Sequence, residues 1–188
     1  MIKKILFILS LCITGCASIP GYNSGYKRLS QENKQKVKRL ENKDIDSLKN
    51  DGNVYIVRAA QLLDYMKRKE RVLVYEWSPH CGADCCVTLD FMEKFCREKG
   101  MELLVVIKYY CFDLIPGPAI FSKPLFFIDT QYYGTDICYK YSPRFYKDLS
   151  GKSQKELNYG RHYYFVNGRF EGMYDQYVTE QKNIPLDK

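Results

Sequence analysis

Eight cysteines punctuate this chain of 188 residues, at positions 12, 16, 81, 85, 86, 96, 111 and 138. Three of them, Cys81, Cys85 and Cys86, lie within six residues, directly after His80. Thiols this close can exchange disulfides, lock into fixed bridges or hold a soft metal ion, since one imidazole and three thiolates suit Zn or Cu(I). Spacing discriminates among these. Cys81 and Cys85 on one regular helix would stand a full turn apart, farther than a disulfide favours. With Cys81 in a loop just before the helix, a Cys81–Cys85 or Cys81–Cys86 bond is feasible. Adjacent Cys85 and Cys86 rarely point to one centre within a helix, which counts against a metal site, and His80 then serves as a neighbour tuning Cys81. No Ser-His-Asp pattern, Gly-rich phosphate loop or paired-carboxylate motif stands out, so hydrolase and nucleotide-binding readings have no support.

The N-terminus sets the compartment. Met1-Ile2-Lys3-Lys4 is a short positive segment, and Ile5 to Ile13 is apolar apart from Ser10. That run is too short to span a bilayer, which takes about 20 residues, and suits a cleaved signal. It ends in Ile13-Thr14-Gly15-Cys16, which resembles the lipobox of bacterial lipoproteins at all four positions. The resemblance implies removal of residues 1–15, a diacylglyceryl group on the Cys16 thiol and an acylated new amino terminus, enough acyl chains for stable anchoring. By the same resemblance Ala17-Ser18 lacks the aspartate that favours inner-membrane retention, so the expected address is the cell envelope, lipid-anchored, at the outer membrane. Six thiols then remain in a compartment where disulfides persist, with 15 possible pairings.

Loss of Lys3 and Lys4 leaves 27 basic residues against 22 acidic ones, a formal charge of +5 spread along the chain. That does not argue for nucleic acid. The basic stretch Lys27 to Arg39 contains Glu32 and reads as a solvated helix face, with weak contact to anionic headgroups as the alternative. The 17 tyrosines promise a sizeable core with many rings left at its surface.

Composition divides the chain into the signal (1–15), a lipid-anchored tether with a polar helix (16–52) and an α/β domain (53–188). Pro20, Gly21, Asn23, Ser24 and Gly25 mark a flexible tether over 17–26. Ser30 caps a polar helix to about Leu40. Within the domain the pattern predicts a strand over Val54–Val57, a helix over Ala59–Glu70, a buried strand over Val72–Tyr75, a helix over Ala83–Glu98 and a strand over Met101–Tyr110. The second helix carries Cys85, Leu89, Met92 and Cys96 on one face, which makes Cys96 a buried, inert thiol. Leu125–Ile128 is a further strand, and Ser142–Leu149 a short helix with Pro143 at its first position. Asn167-Gly168 between Tyr163–Val166 and Arg169–Gly172 signals a type I′ hairpin. The alternation of strand and helix makes a parallel or mixed sheet.

A buried strand Val72-Leu73-Val74-Tyr75, Trp77, Cys81 four residues on, then Gly82 and a helix resembles the active-site segment of the thioredoxin-like family. The likeness runs in order to the terminal hairpin, over roughly Asn53 to Tyr174. It implies a thioredoxin-like mixed sheet flanked by helices, with Cys81 as the exposed attacking thiol and Cys85 (or Cys86) resolving. Helix N-termini stabilise such a thiolate through unpaired N–H groups and the dipole. Trp77, Pro79 and His80 are the expected neighbours. The segment departs from the family motif by one residue, Cys-x-x-x-Cys for Cys-x-x-Cys, and Asp84 would oppose a nearby thiolate. Where the family has a cis-proline before its final hairpin, this chain reads Gly160-Arg161-His162; His162, inside a strand pattern, reads as structural. Pro124 is the similar-looking alternative and fits only a rearranged topology.

The sequence thus supports a membrane-anchored thioredoxin-like lipoprotein acting by thiol-disulfide exchange on exported cysteine-containing proteins, with no organic cofactor and no metal required. Its rivals are a non-catalytic binding or structural lipoprotein with fixed disulfides, drawing on Cys96, Cys111 or Cys138, and a metal-handling cluster.

Overall fold

The computed structural model describes residues 22–41, 43–79 and 87–175. Its elements follow in chain order: helix α1 (Gln31–Gln35), strand β1 (Val37–Arg39), β2 (Val54–Val57), α2 (Ala59–Met66), β3 (Arg71–Trp77), α3 (Leu89–Glu98), β4 (Glu102–Ile107), β5 (Leu125–Ile128), α4 (Cys138–Ser150), β6 (His162–Val166) and β7 (Arg169–Met173). The strands form one seven-stranded sheet in the order β1-β2-β5-β4-β3-β6-β7. The first five in that order run parallel, and the β6–β7 hairpin is antiparallel to β3. This is an α/β fold with a mixed sheet flanked by helices, consistent with the expected thioredoxin-like arrangement. Its particular feature is β5, which lies between β2 and β4.

The apolar strands are covered on both faces. Val72, Leu73, Val74 and Tyr75 of β3, Val105 and Val106 of β4 and Leu125 and Phe126 of β5 are fully buried. Strands covered on both sides read as continuous Val/Leu/Ile/Phe runs rather than alternating ones. Helices α2 and α4 pack on each other, and α3 packs on β4. Each side chain so buried contributes on the order of 1.5–3 kcal/mol.

Several boundaries differ from the sequence expectation, each for a physical reason. Ser30 does cap α1, its hydroxyl accepting from Asn33 N–H at 3.1 Å. The helix nevertheless stops at Gln35, because the following residues gain a ladder with β2 and place Leu40 in the core. Residues 22–26, the end of the expected tether, are bonded to the domain. Ser24 is fully buried, donates its N–H to Asp136 O at 3.0 Å and accepts from Tyr110 N–H at 2.8 Å. The sheet therefore draws on residues on both sides of Asn53. Helix α4 begins four residues before the expected start, leaving Pro143 in its interior. An interior proline costs about 3 kcal/mol; burial of Cys138, Tyr141, Ser142, Phe145, Tyr146 and Leu149 along one stripe offsets it.

The hairpin forms as expected, with Asn167 and Gly168 both at positive φ (48° and 75°). Gly168 has a second constraint: a Cβ there would meet the backbone N and Cα of Lys67 at 3.0 Å. Gly151, just past α4 with φ 74°, faces open space. Gly151→Ala therefore incurs only the left-handed penalty, about 1 kcal/mol, whereas Gly168→Ala adds the clash and costs roughly 2 kcal/mol or more. Urea unfolding checks the order of the two midpoints.

Candidate functional site at the carboxyl end of the sheet

Strand β3 delivers the chain to the cysteine segment. In open α/β sheets, sites form outside the carboxyl ends of the parallel strands, and β3 ends there between β4 and β6. His80, Cys81, Cys85 and Cys86 lie outside the described residues, as does Cys16. The residues on either side are described, and they define the frame around the segment.

Alternation along β3 sends successive side chains to opposite faces. Tyr75 points toward α3, and its hydroxyl donates to Val87 O at 2.9 Å and accepts from Val87 N–H at 3.1 Å. One buried phenol thus holds both backbone groups of the first described residue after the cysteines. This is why the expected helix over Ala83–Glu98 begins only at Leu89: Val87 is committed to Tyr75, and Thr88 is extended (φ −69°, ψ 153°). Leu89, Met92 and Cys96 share the buried face of α3 as expected; Cys85, expected on the same face, lies outside the described residues. Trp77 and Pro79 are partly buried and line, with Val87, Leu89, Leu114 and Ile120, a groove of about 310 Å³ beside the segment.

Glu76 points the other way, toward α4. Its carboxylate is buried at 7% exposure, accepts from Ser142 Oγ at 2.8 Å and faces Lys108 Nζ at 3.4 Å. A buried carboxylate needs such partners, because an unpaired charge in the interior is costly. Burial first and the neighbouring Glu76 second push the ionisation of the fully buried Tyr146 hydroxyl far up. Sequence reading passed over Glu76, although a carboxylate inside Val-Leu-Val-Tyr-Glu-Trp was the available signal.

Two further thiols are accounted for. Cys96 is a free, buried thiol whose pKa burial pushes up to about 12, with Glu102 adding to the shift. Cys138, the first residue of α4, is also free and buried, with Sγ 3.0 Å from Tyr141 Oη. Burial raises its pKa, against the lowering effect of the Tyr141 contact. Among the described residues neither is bonded to another cysteine. Cys111 is half-buried after β4, its pKa raised by burial and by Asp113. Among the described residues no three His, Cys, Asp or Glu side chains converge to hold a metal.

His162, at the start of β6 opposite Tyr75, is fully buried and stacks on that ring at 4.7 Å and 11°. Its Nδ1 pairs with Asp175 Oδ1 at 2.9 Å, and the same oxygen accepts from Arg161 N–H at 2.8 Å. Burial would raise the Asp175 pKa, but the His162 and Arg161 hydrogen bonds outweigh it and hold the carboxyl below its ordinary value. The pair closes the open end of the β6–β7 hairpin, and the ring stack joins that end to β3. Every X-Pro and other peptide bond among the described residues is trans, Pro124 and its β5 included.

Tyr75→Phe removes both bonds to Val87 while keeping the ring. It should lower stability by about 1–2 kcal/mol and raise amide exchange at Val87 more than at Leu103. A carboxyl with a depressed folded pKa stabilises fully above its unfolded pKa, and that contribution is lost as pH falls through the folded value. The fold should therefore lose stability below about pH 4, and Asp175→Asn should flatten that acid limb in denaturant titrations. Comparison of the chain with protein-family models, with curated proteins and with solved structures finds no match.

Proposed function

We propose that the chain is a lipid-anchored lipoprotein of the bacterial cell envelope, at the outer membrane, that exchanges disulfides with exported cysteine-containing proteins. The observation that carries this reading is the frame around the cysteines. A two-sided buried strand ends four residues before Cys81, its buried Glu76 carboxylate paired with Lys108 and Ser142, and Tyr75 fixes the return of the chain at Val87. That frame suits a segment whose thiols must meet a partner from outside.

In the reductive direction, the Cys81 thiolate attacks one sulfur of the partner's disulfide. An S–S bond forms between Cys81 and the partner, and the partner's other sulfur leaves as thiolate. The Cys85 thiolate (or that of Cys86) then attacks Cys81 Sγ, releasing the partner's second thiolate and leaving the cysteine pair oxidised. Two electrons pass to the partner, and the reverse sequence oxidises it. The resolving thiol must shed a proton first. Solvent base takes that proton. No organic cofactor enters.

A second reading, a non-catalytic binding lipoprotein, draws on the exposed rings of Tyr132 and Tyr159, which could meet another envelope protein. The two readings differ in the fate of the thiols. Mature protein from membranes, mapped by mass spectrometry after thiol trapping, should show a Cys81–Cys85 or Cys81–Cys86 pair that mild dithiol reductant opens and oxidant restores. Cys85→Ala or Cys86→Ala should accumulate a mixed disulfide through Cys81. Thiols locked in distant pairs that resist reductant would favour the binding protein instead.

A further inference from the structure

The first described residues cross the carboxyl end of the sheet. Asn23 bridges Ile137 at the entry to α4, Cys138 N–H donates to Tyr22 O at 3.0 Å, and Ser24 O receives Tyr110 N–H from the segment after β4. The chain therefore enters the domain at the end where β3 hands over to the cysteine segment. Six steps of chain separate Cys16 from Tyr22, a reach of at most about 22 Å even when fully extended.

The surface at this entry has a definite composition. Tyr22 and Tyr139 stack edge-on at 5.7 Å while both remain about half exposed, and Tyr26 is 42% exposed beside them along the chain. Lys27, Arg28 and Lys140 are exposed next to these rings, and Lys140 acts on the Tyr22 hydroxyl. Two acids, Asp129 and Asp136, line the groove beside Tyr26 and Lys27, and the basic residues outnumber them at the outer surface. Exposed tyrosines are enriched at the level of lipid headgroups, and cations next to a membrane are attracted to anionic lipids.

We propose that this face, Tyr22, Tyr26 and Tyr139 with Lys27, Arg28 and Lys140, docks on an anionic lipid surface and turns the carboxyl end of the sheet toward the membrane. The inference rests on the reading of Cys16 as the lipidated residue. Its consequence for exchange is a restriction of partners: disulfides within a short distance of the bilayer are in reach, and those far above it are not. Lys152 and Lys155 provide an internal reference, since both follow the far end of α4, and Lys155 is exposed as Lys152 is.

The full-length lipoprotein, purified from membranes, is reconstituted in vesicles of phosphatidylcholine alone or mixed with phosphatidylglycerol, and its lysines are acetylated and counted by mass spectrometry. On the mixed vesicles Lys27 and Lys140 should label several-fold more slowly than on phosphatidylcholine alone, with Lys152 and Lys155 unchanged, and high salt should abolish the difference. Tyr22→Ser/Tyr139→Ser, both at exposed positions, should lose the protection while still floating with the vesicles and unfolding at the same temperature. Vesicle-bound protein whose Lys27 and Lys140 label alike on both lipids overturns the docking and leaves the anchor standing. Protein with an unmodified Cys16 that fails to float overturns both.

Discussion

Strand β3 is the one junction between the two halves of the sheet. Its hydrogen bonds on one edge hold the parallel block through β4, and those on the other hold the β6–β7 hairpin. Removing either ladder would divide the sheet, so the strand must be paired and covered on both sides. That requirement explains the unbroken burial of Val72 to Tyr75. It also fixes what happens at the strand's end, because strict alternation sends Tyr75 and Glu76 to opposite faces and leaves little freedom in where the chain emerges.

The two polar groups at that end do different work. Tyr75 is a structural donor and acceptor, capturing Val87 on the α3 side. Glu76 is a charge kept inside by Lys108 and Ser142 on the α4 side. Burying a carboxylate is expensive, and replacing such a group by a well-packed apolar one is often neutral or stabilising. Here Lys108 and Ser142 supply the partners that such burial needs. Asp129 offers a parallel within the same protein: it sits at the end of β5, faces Arg39 and Arg58 at 3.2 and 3.3 Å and accepts from Tyr132 N–H. Its burial is compensated by three partners that knit β1, β2 and β5 together, which is a structural task.

What was legible in the sequence followed from strong, local patterns. The apolar runs at Val54, Leu125 and Tyr163 and the Asn167-Gly168 turn were readable because strand burial and positive φ each restrict residue type. Helix limits were less so. The Ala83–Glu98 pattern looked continuous because Leu89, Met92 and Cys96 share a face, yet a phenol 12 residues earlier holds Val87 out of the helix. The strand after α1 was missed because Val37–Arg39 is three residues long and takes its stability from pairing with β2. Likewise the Ser24 region reads as tether by composition, and only its bonds to Asp136 and Tyr110 attach it to the sheet. Glu76 went unread because a single charge in an apolar strand has no meaning until its partners are known.

The central claim is that the thiols at Cys81 form a reversible couple rather than a structural bridge. Equilibrating the mature protein across glutathione redox buffers, with the Cys81 disulfide quantified by mass spectrometry, measures this directly. The account predicts one two-electron couple at Cys81 with a potential between about −120 and −270 mV, the range of exchange-active dithiols. A bridge that stays closed until below about −300 mV, as structural disulfides do, would contradict it.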